Sequence, residues 1–226
     1  MPYTTSMRLN KYIALSTGLS RRAADDAVYR NRVLVNGRPP TSGQQVTDAD
    51  VVTLDSQRIT PPVNTITIML NKPAGYVCSR EGQGNKTVYE LIPEEFHVLK
   101  SVGRLDKDSS GLLLMTNDGN LAQELTHPKY QKTKIYEVTL DKPLMPLHRQ
   151  MITDHGISLA DGRSKLQVDR LYDGDDTQWQ ITMHEGRNRQ IRRTFEALGY
   201  NVVTLHRTNF GTYSLYDLGL GNYKQL

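Results

Sequence analysis

The amino-acid sequence predicts an α+β protein built in two parts, and three observations carry this reading. Roughly the first 60 residues hold two short helical patterns followed by a small pair of strands. From Thr65 onward, short strand patterns lie close together with few helices between them, which favours a mixed, mainly antiparallel sheet. Neither a glycine-rich dinucleotide loop nor a phosphate-binding loop opens any helix, and no internal repeat is present.

Taken in order, residues 8–17 place Leu9, Tyr12, Ile13 and Ser16 at helical spacing, and Gly18 is a natural stop. Ser20 predicts the cap of a second helix that turns Ala24, Ala27 and Val28 inward. Val33–Val35 reads as a strand, Asn36-Gly37 as a tight hairpin turn, and Val51–Leu54 as another strand. Ser56–Asn64, with Pro61-Pro62, has no usable periodicity and is expected to be a linker between domains at 7–60 and 65–226. Beyond it the expected strands are 65–70, 98–102, 112–116, 133–140, 164–172, 178–183 and 202–207. The expected helices are 120–125, 146–154 and 188–198, and Asp173–Asp176 reads as a hairpin turn.

Composition is that of an ordinary globular chain, with 226 residues, 37% hydrophobic and 23% charged. No apolar run approaches the ~20 residues a membrane helix needs. The opening Met-Pro-Tyr-Thr-Thr-Ser-Met lacks the apolar core of an export signal. The single cysteine, Cys78, excludes an internal disulfide and a cysteine-rich zinc site, and the six histidines have no metal-ligand spacing. A cytoplasmic protein without a metal site or membrane partner is therefore expected, and nothing demands more than a monomer. The net charge of +4 is a weak pointer to nucleic acid, but its arrangement is stronger. Arg187, Arg189, Arg192, Arg193 and Arg207 cluster late in the chain, and a second basic group lies in residues 8–38.

Residues 103–119, Gly-Arg-Leu-Asp-Lys-Asp-Ser-Ser-Gly-Leu-Leu-Leu-Met-Thr-Asn-Asp-Gly, are the most informative stretch. They set Asp106 and Arg104 on a loop running into an apolar strand, where catalytic groups are often held. Asp106-x-Asp108-x-Ser110-Gly111 also begins like a calcium loop, but its twelfth position is Asn117 rather than a bidentate Glu. A plain turn is the bland reading, since Asp and Ser favour turns through local hydrogen bonds.

The whole string resembles the active-site motif of RsuA-type RNA pseudouridine synthases, in which the aspartate at the place of Asp106 performs the chemistry. Glu185–Arg193 resembles the same family's motif, in which an arginine pairs with that aspartate, and the match implies Arg192 as the partner. On the helix expected from Asn188, Ile191, Phe195 and Leu198 form the buried stripe and Arg192 flanks it. Arg189 and Arg193 are then expected to point outward, towards solvent or phosphate. A plain amphipathic basic helix would otherwise be the first choice for this segment. The resemblance implies that Tyr136, in the alternating Lys134–Val138, packs against the target base, although an ordinary half-buried strand tyrosine has the same pattern. Asn71–Tyr76 and Leu205–Arg207 resemble two further motifs. The first is expected to brace the cleft floor and the second to supply an apolar wall, Leu205. Arg104 is expected to enter the RNA where the uridine leaves the stack. Lys72, Leu205, Arg104, Arg187, Arg189 and Arg193 are the candidate substrate-binding residues. Thr194 stands where family members often carry Met, which puts the local packing in question.

Arg8–Ile13, Gly18–Ala24 and Val33–Gly37 resemble an S4-type RNA-binding domain. Arg8 and Lys11 share a helical face, and Arg21 and Arg22 fall in a first turn, where positive charge opposes the helix dipole. Phosphate contact explains them better than helix stability does. The resemblance implies a pseudouridine synthase domain with a central catalytic cleft and a ribosomal RNA substrate. Motif fragments favour large-subunit over small-subunit RNA slightly. Turning a uracil from N1 to C5 attachment gains and loses no atoms overall, so no cofactor is implied. Whether Asp106 would attack the sugar, attack the base or remove the C2′ proton is left open by the residues. Two other readings fit parts of the chain: a catalytically idle ribosomal RNA-binding or assembly factor on the same scaffold, and a metal-dependent nuclease using Asp106, Asp108 and Asp118.

Overall fold

A computed structural model describes residues 6–61 and 64–226, so Met1–Thr5 of the opening segment and Pro62 and Val63 of the expected linker lie outside it. The chain divides into two compact units, residues 1–66 with 94–100, and residues 67–93 with 101–226.

In the first unit, β1 (Met7–Arg8) leads into α1 (Leu9–Thr17), which stops where Gly18 takes the left-handed φ of 74°. The Ser20 hydroxyl accepts from the Ala23 N–H at 3.0 Å and starts α2 (Arg21–Tyr29). Such a cap stabilises a helix by about 1 kcal/mol. Next come β2 (Val33–Val35), β3 (Gln45–Val46), β4 (Val52–Leu54) and β5 (Gln57–Ile59), with β2, β4 and β5 forming one antiparallel sheet. Leu9, Tyr12, Ile13, Ala24, Ala27, Val33, Val35 and Val52 share its core.

Two expectations need correction here. Asn36-Gly37 does turn the chain, with φ of 51° and 75°, but closes only one bridge, between Val35 and Arg38. The main partner of β2 is β4. The expected linker also contains β5, because Asp55 and Ser56 turn the chain at φ 49° and 67° without a glycine. With Gln57 and Arg58 both exposed, β5 lacks the alternation that marks a half-buried strand.

The second unit is built on a mixed sheet. Its elements are β6 (Thr67–Lys72), β7 (Lys100–Val102), β8 (Ser110–Thr116), α3 (Gly119–Thr126) and β9 (Lys134–Leu140). Then follow α4 (Pro146–Gln150), β10 (Ile157–Leu159), β11 (Gly162–Ser164), β12 (Gln167–Arg170) and β13 (Gln178–Met183). Last come α5 (Gln190–Glu196), β14 (Val202–Phe210), β15 (Tyr213–Ser214) and β16 (Tyr223–Gln225). The sheet runs β12-β13-β9-β14-β8-β6-β16, with β15 on β14 and β7 on β8. Along that run only β14 and β8 are parallel. The α+β class with a mainly antiparallel sheet is thus the observed one.

Several boundaries differ from expectation. The expected 164–172 strand is two strands, because β11 returns on β10 in a separate hairpin before β12 joins the sheet. The expected 146–154 helix is α-helical only to Gln150 and continues as a wider π-turn over Met151–His155. No described helix is long and apolar enough to cross a membrane.

Sheet register sorts the side chains into two faces. Gly111 stands opposite Lys72 and Arg207, and Arg207 stands opposite Tyr136, so these four share one face. Asn71 stands opposite Leu112, while Ser110, His206 and Glu137 form a row on the other face. At Gly111, φ is 107° and an added Cβ would lie 2.2 Å from the Arg207 carbonyl oxygen. Only glycine lets β8 and β14 run this close.

Candidate active site

The loop carrying Asp106 is held by its backbone. Lys72 ends β6 with 0% exposure, and its Nζ donates to the carbonyls of Pro73 at 3.0 Å, Asp106 at 3.1 Å and Ser109 at 2.6 Å. Three ammonium protons meet three acceptors, which is what allows a lysine to be buried there. Burial pushes the Lys72 pKa down, while nearby Cys78, Asp108 and Asp106 push it back up. The Cys78 thiol donates to the Leu105 carbonyl at 3.3 Å and accepts the Leu105 N–H at 3.4 Å. Gly75 N–H donates to the Lys107 carbonyl, and Ser109 N–H closes a turn onto the Asp106 carbonyl. These bonds engage the backbone of residues 105–107 and 109, and the Asp106 side chain is left 36% exposed.

This corrects one expectation. Lys72 is a candidate substrate-binding residue by its motif, but a fully enclosed side chain spent on backbone carbonyls presents nothing to a substrate. It positions the loop.

The arginine segment approaches the same loop. Arg189 adopts a left-handed φ of 47°, and α5 starts only at Gln190. Ile191, Thr194 and Phe195 are buried. The Thr194 hydroxyl donates to the Gln190 carbonyl and bonds Ser164 Oγ, both at 2.8 Å, so the threonine is well accommodated in the local packing. Gln190 Nε2 donates to Ser164 Oγ at 3.1 Å and to Glu185, and this braces the turn before the helix.

The arginines fall differently from expectation. Arg189 Nη1 and Nη2 each donate to Asp108 at 3.1 Å, and Nη1 lies 3.8 Å from Asp106 Oδ2. Arg192 instead reaches the next stretch of the loop. Its Nε lies 3.2 Å from Asp108 Oδ2, its Nη2 donates to the Asp108 carbonyl at 2.9 Å, and its Nη1 donates to the Val202 carbonyl at 2.7 Å. Among the described residues, the guanidinium within 4.0 Å of the Asp106 carboxylate is therefore that of Arg189, not Arg192. The reason is local. A helix counted from Asn188 turns Arg189 outward, whereas the left-handed residue before Gln190 turns it onto the loop.

Arg193 and Arg187 are also not free for phosphate. Arg193 makes a two-pronged pair with Asp161 at 3.0 and 2.7 Å. Arg187 donates to the Asp161 side chain at 3.1 Å and to carbonyls at Asp161, Gly162 and Arg163. Arg193 ties α5, and Arg187 the segment before it, to the β10–β11 turn; Asp161 lies far from both in sequence and carries no motif that marks it. Asp108, which the sequence offers only as a metal ligand in the calcium-loop and nuclease readings, is instead the arginine partner on this loop. Burial pushes the Asp108 carboxyl up, but the Arg189 hydrogen bonds and the charges of Arg192 and Arg189 outweigh this and hold it below the ordinary value.

Tyr136 is 8% exposed and faces Arg207 across β9–β14. Leu205 is 7% exposed and stands opposite Val138 on the same face. Arg104 is exposed beside Asp106. In the other unit, Arg8, Lys11, Arg21 and Arg22 are all exposed, and Arg21 is steadied by Asn10 Oδ1 at 3.0 Å.

The sheet and its loop can be set beside known proteins. The family model for RNA pseudouridylate synthase matches residues 66–197, more than half of the chain. The chain belongs to this family. A ribosomal small subunit pseudouridine synthase A of Pasteurella multocida is 37% identical over 97% of this chain and 96% of its own length. A ribosomal large subunit pseudouridine synthase B of Bacillus subtilis is 35% identical over 97% and 91%. A dual-specificity RNA pseudouridine synthase RluF of Escherichia coli is 35% identical over 98% and 76%. A solved crystal structure of a pseudouridylate synthase superposes with a TM-score of 0.69 at 33% identity, covering 97% of this chain and 96% of that one. The activity class is thus RNA pseudouridine synthase, an isomerase.

Proposed function

We propose that this synthase isomerises a uridine of ribosomal RNA, with Asp106 as the reacting carboxylate, Tyr136 against the target base and Leu205 as an apolar wall. Asp106 supports this reading best. Its carboxylate is partly open, its backbone is pinned by a fully buried lysine, and a guanidinium stands 3.8 Å away. Attack on the sugar, attack on the base and removal of the C2′ proton all require an accessible carboxylate in a fixed position. Arg104, exposed near Asp106, is proposed to enter the RNA where the uridine leaves the stack, and unstacking costs a few kcal/mol, so loops are preferred targets. Arg192 and Arg189 act together on the loop, Arg192 through Asp108 and Arg189 on both carboxylates.

Residues 7–60 are proposed as an S4-type module that contacts phosphates through Arg8, Lys11, Arg21 and Arg22. Residues 65–226 form the synthase domain, working in the cytoplasm as a monomer. Relatives named for the small subunit, the large subunit and dual specificity support ribosomal RNA as the substrate and favour neither subunit, so the slight sequence preference for the large subunit gains no support.

The test is pseudouridine mapping on small- and large-subunit transcripts and subunit precursors treated with wild-type or Asp106→Asn protein. One new pseudouridine with wild type and none with the variant is expected. Equal RNA binding with no isomerisation by wild type on any substrate would instead make the chain an idle assembly factor. Full activity of Asp106→Asn would remove Asp106 from its role.

A further inference from the structure

The sheet face turned away from Lys72 and Tyr136 carries a pocket of about 350 Å³, within the ~300–1,000 Å³ of small-ligand sites. Asn71, Glu137, His206 and Tyr216 are among the residues that line it. Since Lys72 holds the reactive loop from the opposite face, this pocket is separate from the candidate active site.

Its polar groups are arranged, not scattered. Asn71 is 6% exposed, and its Nδ2 donates to the Leu218 carbonyl at 2.7 Å, which sets the orientation of the amide. Its Oδ1 is buried and accepts no hydrogen bond from any described residue. Glu137 stands opposite His206 in the ladder and adds a carboxylate. Ser110 Oγ lies 2.9 Å from His206 Nδ1. Burial pushes the His206 pKa down and Glu137 pushes it up, with burial prevailing, so a neutral ring is favoured. In the tautomer whose Nδ1 accepts from Ser110, the neutral ring carries its proton on Nε2 and is a donor there. Tyr216 is 87% exposed and sits at φ 44°, a left-handed conformation uncommon for a bulky residue and frequent at ligand sites.

We propose that this pocket binds an unstacked guanine base. The Glu137 carboxylate is an acceptor in the pocket lining and calls for donors. Guanine presents two adjacent donors, N1–H and the N2 amino group, which match the two oxygens of a carboxylate, beside an O6 acceptor for a histidine donor. Uracil offers a single N–H between two carbonyls, and adenine and cytosine each set a ring acceptor beside their amino group. The Tyr216 ring supplies a stacking surface.

The experiment is calorimetric titration of the full chain with GMP, IMP, AMP, CMP and UMP, repeated on Glu137→Gln and Tyr216→Ala with folding checked by circular dichroism. GMP is expected to bind more tightly than the others, and IMP, which lacks the N2 amino group, about tenfold more weakly than GMP. Each variant is expected to weaken GMP about tenfold or more. UMP should not displace GMP, and Asp106→Asn should bind GMP as wild type does. A short single-stranded RNA with one guanine that binds more tightly than GMP identifies RNA as the source of the base. Binding no tighter than GMP identifies a free nucleotide. Absence of GMP binding, equal binding of all five nucleotides, displacement by UMP, or indifference to both variants overturns the assignment.

Discussion

Arg189 and Asp108 form a two-pronged ion pair with both N···O distances at 3.1 Å, and the same guanidinium reaches to 3.8 Å from Asp106. One arginine thus reads the positions of two carboxylates on one loop. Asp108 is the firmer partner, and it steers the positive charge that Asp106 shares.

Arg189→Lys keeps the charge but loses the planar fork, so it is not a conservative change here. Single-turnover isomerisation is expected to slow about tenfold to hundredfold, the scale of one or two charge-assisted hydrogen bonds. RNA affinity should change less than the rate. An unchanged single-turnover rate would show that Arg189 does not position the reactive loop.

Asp108→Asn removes a carboxylate that is held below its ordinary value in the fold. Such a group stabilises the folded state above the unfolded carboxylate pKa of about 3.9, and this is lost as pH falls through its lower native value. Thermal melts at neutral pH should therefore place the variant below wild type, with the gap narrowing as the solution is acidified below about pH 4. A gap independent of pH would detach the ion pair from stability.

Lys72→Met replaces the buried ammonium with an apolar chain of similar length and leaves the Asp106 and Ser109 carbonyls without that donor. Loss of such partners costs about 1–3 kcal/mol for each buried group left unpaired. Urea unfolding should show a drop of a few kcal/mol, and activity should fall with it as the loop loosens. Wild-type stability in this variant would mean that the three carbonyls find other donors.

Arg21→Ala with Arg22→Ala is expected to weaken RNA binding and flatten its salt dependence, by up to about 0.7–0.9 in log–log slope for each phosphate no longer neutralised. The rate at saturating RNA should remain that of wild type. Slowing at saturation would assign these arginines to the chemical step instead.

Local signals were the legible part of the sequence. Gly18 and Ser20 marked the end of α1 and the start of α2 because each acts on its own turn of backbone. The alternation in β9 and β13 was visible because one face of each is buried: Tyr136, Val138 and Leu140 in one, Trp179, Ile181 and Met183 in the other. By contrast, β16 is exposed along its length and exists only because β6 offers an edge to pair with. Neither Tyr223 nor Gln225 carries a pattern that announces it.

By itself, the sequence determined the family, the fold class and the loop on which the reacting carboxylate is proposed to lie, since motif order and periodicity are properties of neighbouring residues. Only the tertiary structure decided which arginine faces which carboxylate. A single left-handed residue at Arg189 turned that guanidinium onto Asp106 and Asp108, left Arg192 for Asp108 and the Val202 carbonyl, and the β10–β11 turn claimed Arg187 and Arg193. Charge alone marks an arginine as a partner for an anion. Which anion it meets is set by backbone geometry and by groups distant in the chain, and those exist only once the sheet has closed.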